Sequence, residues 1–531
     1  MTTVAPFETT RAPHGMVCSV DHLASSAGVA MLRAGGSAAD AAVAASAVLA
    51  VTTQHMCGMG GDLFALVSVP GSPQPLALNS SGRAGSGADP ERLRSEGHGA
   101  MPFRGDIRSV PVPGCVDGWV ALHQRFGRLP LGDVLEPARA YAADGFPAAP
   151  LMAAAVALVA ALPDAADYTA GGRLAPGDLV RRPGVARALE AVASGGRQAF
   201  YEGEFGEGLL ALGAGEYTDD DLRTPLAEWV APLSAPAWDR VLWTIPPNSQ
   251  GYLTLAGSWI AAGLPVPEDP DDPLWAHLLI EAARQAAFDR VDVLHEHADG
   301  AALVDPARLE PRRRAVSADS AASLGDEYRG GGTIYLCAAD AEGMGVSLIQ
   351  SNAAGWGSHL VEPRTRIFLQ NRGIGFSLVP GHPAEYGPGR RPPHTLSPAL
   401  VTDPAGNLDM VIGTMGGDGQ PQTLLQLLAR LLVSGQSPGR AMAAGRWTLA
   451  PRDEGTAFDT WRQRGRVAVQ VEGHAPEAWD DGLRRRGHVV ERVEPWGHGF
   501  GHAHVIRAAP GGGGWAGASD PRALTGAAAG Y

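Results

Sequence analysis

Gly330-Gly331-Gly332-Thr333-Ile334-Tyr335-Leu336-Cys337-Ala338-Ala339 changes character at a single residue. From Pro311 the chain runs polar and then glycine-rich to Gly332, the composition of an exposed linker; from Thr333 it turns into a run of β-formers. Asp340-Ala341-Glu342-Gly343 reads as a turn and Met344 to Gln350 as a second strand, so the sequence predicts a hairpin whose first residue is threonine. A threonine at such a boundary has a chemistry of its own. Its hydroxyl can attack the preceding carbonyl, cut the chain between Gly332 and Thr333, and then use the freed amine as its base. No histidine or acid partner is required. The same residues also describe an ordinary loop and strand, so the reading depends on what surrounds them.

Working outward, Gly35-Gly36-Ser37 precedes the alanine-rich run Ala38 to Leu49, with Ser37 as N-cap and Asp40 in the first turn. Gln54-His55-Met56-Cys57-Gly58-Met59-Gly60-Gly61-Asp62 breaks that helix before a strand, Leu63 to Val69. Its glycines mark backbone that passes something closely. Leu131 to Glu310 alternates helical segments with breaks such as Ile245 to Gly251 and reads as scaffold. Leu408 to Ile412 is a strand, Gly413 to Gly419 a glycine turn and Pro421 to Val433 a helix. His55 and Cys57 form an alternative dyad for a cysteine hydrolase, isolated in its glycine-rich turn.

Composition excludes several function classes. The chain of 531 residues has no lysine, so its 42 basic residues are all arginine, which removes Schiff-base chemistry and the phosphate-loop lysine. A net charge of -14 with dispersed arginines offers no basic face to nucleic acid. Cys18, Cys57, Cys115 and Cys337 lack metal spacing and read as buried reduced thiols. Neither a membrane-spanning run nor a leader-like segment stands out, so the expectation is a cytoplasmic enzyme without metal, cofactor or membrane partner.

Taken in order, the motifs resemble the gamma-glutamyltransferase family over nearly the whole chain. They are Gly35 to Ala42, Gly58-Met59-Gly60-Gly61, Pro111-Val112-Pro113-Gly114, Pro246 to Gly251, Thr333, Asp340 to Gly343, Gly413-Thr414-Met415-Gly416-Gly417, and Gly517 to Arg522 with the closing Gly530-Tyr531. The resemblance implies the α/β (α+β) four-layer αββα sandwich of N-terminal-nucleophile hydrolases. Residues 1–332 and 333–531 would be two cleaved chains held as one heterodimeric unit; a homo-oligomer of it is left open. Thr333 would be the nucleophile, and Gly416 and Gly417 would lend N–H groups to an oxyanion hole. Arg83 would grip a substrate carboxylate with help from His394 and Thr395, and Ser351 or Asn352 would support the nucleophile.

One departure bears on the substrate. Within Leu369 to Ser377, typical members hold the donor's α-ammonium with an acid and a nearby acid or amide; here Arg372 and Gly375 stand at those positions. A cation cannot bind an ammonium. Unless Arg372 pairs with a structural carboxylate such as Glu362 or Glu385, it favours a small anionic, oxalyl- or oxamate-type acyl group. The resemblance to members with Gln350-Ser351-Asn352 after the hairpin points the same way, toward amide or C–C hydrolysis in specialised metabolism. The rival readings are a gamma-glutamyl hydrolase or transpeptidase acting on glutathione-like donors, and an unprocessed, inactive homologue with a binding role.

Overall fold

The computed structural model describes residues 9–169, 173–324, 333–451, 467–509, 511 and 513–531. Gly332 and the rest of the glycine linker lie outside them. The hairpin forms from Ile334–Ala339 and Gly345–Ser351, antiparallel, with Ile334 opposite Gln350. Alternation sorts its side chains. Ile334, Leu336 and Ala338 join the core against the alanine-rich helix, whereas Tyr335, Cys337 and Ala339 face the second sheet. Thr333, one residue before Ile334, thus falls on the inter-sheet side, level with Ser351.

Each of the two large sheets is seven-stranded. The hairpin is central in one, whose order is Ala527–Gly530, Met16–Ser19, Ile334–Ala339, Gly345–Ser351, Asp62–Ser68, Leu76–Ser80, Glu228–Val230. The other runs Thr10–Ala12, Trp515–Ser519, Ala503–Ala508, Leu408–Thr414, Ala399–Thr402, Arg240–Thr244, Leu233–Ala237. All their pairings are antiparallel. Helices cover both outer faces, giving four αββα layers: Ala38–Thr52 and its neighbours pack on the first sheet, Tyr252–Ala262 and Gln420–Leu432 on the second. Both sheets combine strands from before and after Thr333.

Ala38–Thr52 is buried along its whole length, which alanine permits because a short side chain lets the hairpin approach closely. Ser37 and Asp40 close a reciprocal capping box, and Asp340 of the hairpin turn accepts from the Ala38 N–H at 2.9 Å. The glycine turn before Asp62 is tight for a visible reason. A Cβ on Gly61 would lie 2.3 Å from the Ser351 carbonyl oxygen, and one on Gly60 2.2 Å from that of Phe368. The expectation of a linker beginning at Pro311 needs correcting, because the helix Pro306–Arg314 runs through it. Arg308 and Arg312 both pair with Asp289, and Arg313 lies over Trp259, so tertiary contacts hold a helix that proline would weaken.

Candidate active site

Thr333 is buried, and its Oγ1 lies 3.2 Å from the Ser351 Oγ. Ser351 is reached in turn by Arg372, which donates from Nη2 at 3.3 Å; the Nη1 of Arg372 donates to the Thr395 Oγ1 at 3.0 Å. Arg372, in the short 3₁₀ turn Arg372–Gly375, is only 2% exposed. Burial pulls its pKa down to about 10, against partial support from Asp62 and Asp418, so it stays a cation at neutral pH. Neither Glu362 nor Glu385 neutralises it. Glu385 pairs with Arg94, and Glu362 accepts from Arg364 N–H and Thr365. Among the described residues no carboxylate lies within 4.0 Å of Arg372, and its Nε finds no acceptor.

Asp62, at the start of its strand, gathers the loops around this cation. Its Oδ1 accepts from Gly82 N–H at 2.9 Å, Gly114 N–H at 3.2 Å and Gln370 Nε2 at 2.8 Å. Its Oδ2 takes His394 Nε2 at 3.1 Å. The other ring nitrogen of His394 accepts the Leu396 N–H at 3.3 Å, which leaves Nε2 carrying the proton. Burial, with the Arg372 charge behind it, lowers the His394 pKa to about 3. Of the two residues expected to help hold a carboxylate, His394 has both ring nitrogens engaged inside the protein and Thr395 meets Arg372. Arg83 is engaged within the protein. It contacts Glu228 at 3.0 Å and Glu296 at 3.5 Å and donates to the Gly389 carbonyl.

Asn352 turns away from Ser351: its Nδ2 donates to the Gln54 carbonyl and its N–H to that of Met56. Of the pair proposed to support the nucleophile, Ser351 therefore touches Thr333 and Asn352 anchors the Gln54–Met56 turn.

Gly416 and Gly417 have φ values of 135° and 56°, conformations that a side chain would strain. They open the turn leading into Gln420–Leu432. The amide of Gln250 joins this turn to the arginine cradle by donating to the Thr395 carbonyl at 3.0 Å and the Gly417 carbonyl at 2.9 Å. Asp418 is clamped by Arg290 at 2.5 Å in a buried ion pair. Asp62, Gln250, Arg290 and Asp418 are site residues that motif reading passed over. The glycine turn before Asp62 and the Pro246 to Gly251 break were the available signals; Arg290 gave none.

The His55–Cys57 dyad does not assemble. The Cys57 thiol contacts Thr53 and Gln350, burial pushes its pKa up to about 12, and neither ring nitrogen of His55 has a partner among the described residues. A thiol so disposed is a poor nucleophile.

A buried threonine opening an inter-sheet strand of an αββα sandwich defines the N-terminal-nucleophile hydrolase class. Solved structures agree: cephalosporin acylase from Bacillus halodurans superposes with a TM-score of 0.89 at 31% identity, covering 100% of this chain and 98% of the other. The family described as Gamma-glutamyltranspeptidase matches residues 24–531. The chain is 37% identical over 537 residues to an oxamate amidohydrolase proenzyme of Klebsiella pneumoniae subsp. pneumoniae, covering 98% of both. It is 35% identical over 514 residues to a glutathione hydrolase-like YwrD proenzyme of Bacillus subtilis, covering 93% of this chain and 94% of the relative. The chain belongs to the gamma-glutamyltranspeptidase family and is a hydrolase of that family, related to oxamate amidohydrolase.

Proposed function

We propose that the chain cuts itself between Gly332 and Thr333 and then takes an acyl group onto Thr333 from a small substrate with a carboxylate beside its scissile carbonyl, of the oxalyl or oxamate type. The Thr333 Oγ adds to that carbonyl, and its proton passes to the new terminal amine. The N–H groups of Gly416 and Gly417 receive the oxyanion, and the leaving group departs with the proton. Water then attacks the ester, releases the acid and restores Thr333. Ser351 orients the hydroxyl, and Thr395 orients Arg372.

The observation that carries this reading is Arg372. A buried guanidinium within reach of the nucleophile's own hydrogen-bond partner, and without a carboxylate, matches a ligand that brings its own negative charge. Arg83, held by Glu228 and Glu296, then has a supporting rather than a primary part. The oxamate amidohydrolase relative supports the same substrate class. The free, buried state of all four cysteines supports a reducing, cytoplasmic setting; among the described residues no helix is long and apolar enough to cross a membrane. The test is kcat/KM for oxamate against a γ-glutamyl anilide. The expected result is a preference for oxamate; turnover of the anilide alone would return the gamma-glutamyl reading.

A further inference from the structure

Two adjacent glycines can bring backbone N–H groups close to an oxyanion, but they cannot by themselves hold a direction. Glycine visits positive and negative φ about equally, so the values of 135° at Gly416 and 56° at Gly417 have to be imposed by neighbours. The Gly419 N–H closes the turn on the Gly416 carbonyl at 2.9 Å, and the Met415 N–H ties its entrance to the His502 carbonyl at 3.2 Å. From the other side Gln250 holds the Gly417 carbonyl at 2.9 Å, and Arg290 holds the Asp418 carboxylate at 2.5 Å.

The contact between Arg290 and Asp418 differs from the other ties in bringing two charges into the interior. Arg290 is 5% exposed and Asp418 6%. The void beside them measures about 10 Å³, room for one water at most, so solvent cannot stand in for either partner. Arg290 is fixed from behind as well. It opens the short helix Arg290–Val293, and the preceding Asp289 is gripped by Arg308 and Arg312 of Pro306–Arg314. A line of ion pairs thus runs from that helix to the residue after Gly417.

The charges of the pair also reach the site. Burial does most to lower the Arg372 pKa; Asp418 supports the Arg372 cation and Arg290 opposes it, so the two fields cancel in part at the guanidinium. Without Arg290, the Asp418 carboxylate would keep its charge, next to the oxyanion turn, and lose the cation that pairs it. That charge would repel the oxyanion as it forms.

We propose that Arg290 is a positioning residue for the reaction, aiming the Gly416 and Gly417 N–H groups through Asp418 and masking the Asp418 charge from the oxyanion. The inference rests on the assignment of those N–H groups to the oxyanion and extends it to a helix remote in sequence.

Cut enzyme is assayed with oxamate and with a γ-glutamyl anilide, and the better donor is used, since both pass through the same oxyanion. Arg290→Met is expected to lower kcat by roughly thirtyfold or more while KM changes less than about threefold, the split of an interaction made in the transition state. Arg290→Lys, which keeps the charge, recovers kcat by roughly fivefold over Arg290→Met, and so does adding Asp418→Asn to Arg290→Met, which removes the stray carboxylate. Should Arg290→Met fail to fold, the double variant carries the test, because it leaves no buried charge unpaired; its kcat stays roughly fivefold or more below wild type. Wild-type kcat in the Arg290 variants, or a loss that neither lysine nor Asp418→Asn relieves, would overturn the positioning role. Gly417→Val run alongside separates the two readings: if it loses kcat while the Arg290 variants do not, only the role of Arg290 falls, and if it keeps normal turnover the oxyanion assignment beneath falls with it.

Discussion

Arg372 and Arg522 are equally buried and differently furnished. Arg522 meets Glu472 through Nε at 2.8 Å and also through Nη2, and Asp520 at 3.1 Å; the Met442 and Ala444 carbonyls accept its remaining donors. Burial works against its charge, but the two carboxylates reverse the effect and hold its pKa above the usual arginine value. Arg372 has two hydroxyls and no carboxylate contact, and its pKa falls. Arg430 is a useful control. It too is buried with a lowered pKa, yet it lies over the Trp275 ring at 4.8 Å, so aromatic faces take the place of anions. Arg522 has its counter-charges and Arg430 its aromatic faces, whereas Arg372 has neither among the described residues; on the proposed reading a substrate's charge fills that place.

The largest effect that bears on this contrast is expected from Thr333→Ala, which removes the reaction while leaving the Arg372 cradle intact. Activity falls by on the order of 10³-fold or more, and a denaturing gel shows one full-length band. Wild-type protein fully active while uncut would break the scheme. Next in size is Arg522→Met, which strands Glu472 without its main partner and costs about 3–5 kcal/mol of stability in chemical denaturation. Gly417→Val, forced onto a φ of 56°, lowers kcat by roughly 10²–10³-fold, and normal turnover would remove Gly417 from the oxyanion role.

Arg372→Met sharpens the comparison directly. Loss of one charge-assisted contact of about 1.5–3 kcal/mol lowers kcat/KM for oxamate by roughly 10–150-fold, with stability unchanged or improved, the opposite of Arg522→Met. A large drop in Tm would make Arg372 structural after all.

The smallest effect concerns His394, whose neutrality keeps a second positive charge from Arg372. Its folded pKa of about 3 lies below the ordinary 6.5, so below pH 6.5 the unfolded chain binds a proton that the folded chain refuses. Stability is therefore full above pH 6.5 and falls as pH drops toward 3, by up to about 1.4 kcal/mol per unit for this residue. The Tm difference between pH 7.5 and pH 5.5 should be smaller in His394→Gln than in wild type. An unchanged difference would mean that His394 takes up its proton in the folded state.

The elements nearest the chemistry were legible because their signals are local. Thr333 marks the junction of linker and strand, but the choice between Ser351 and Asn352 stayed open until the pairing register set Ser351 beside Thr333 and turned Gln350 to Ser46 and Cys57. Ser37 and Asp40 announced a cap that forms as read. What stayed hidden depends on partners remote in sequence. Arg290 has its meaning from Asp418, 128 residues later, and Gln250 from Thr395, 145 residues later. A loop arginine such as Arg83 looks the same whether it awaits a substrate or already holds Glu228, and only the fold distinguishes the two.

The mixing of strands from both sides of Thr333 within each sheet has a consequence for the life of the enzyme. Thr10–Ala12 pairs with Trp515–Ser519, and Met16–Ser19 lies between Ile334–Ala339 and Ala527–Gly530. Each sheet would thus be woven from both pieces if the chain is cut before Thr333 as proposed. The precursor folds as one molecule, at a rate indifferent to dilution. After the cut, the same architecture can be regained only by an encounter of two molecules, each with unpaired strand edges that invite aggregation. The proposed cut would therefore act as a ratchet: denatured precursor could return to the native state, whereas denatured cut enzyme would have a recovery that declines with dilution and a working life set by its rate of unfolding.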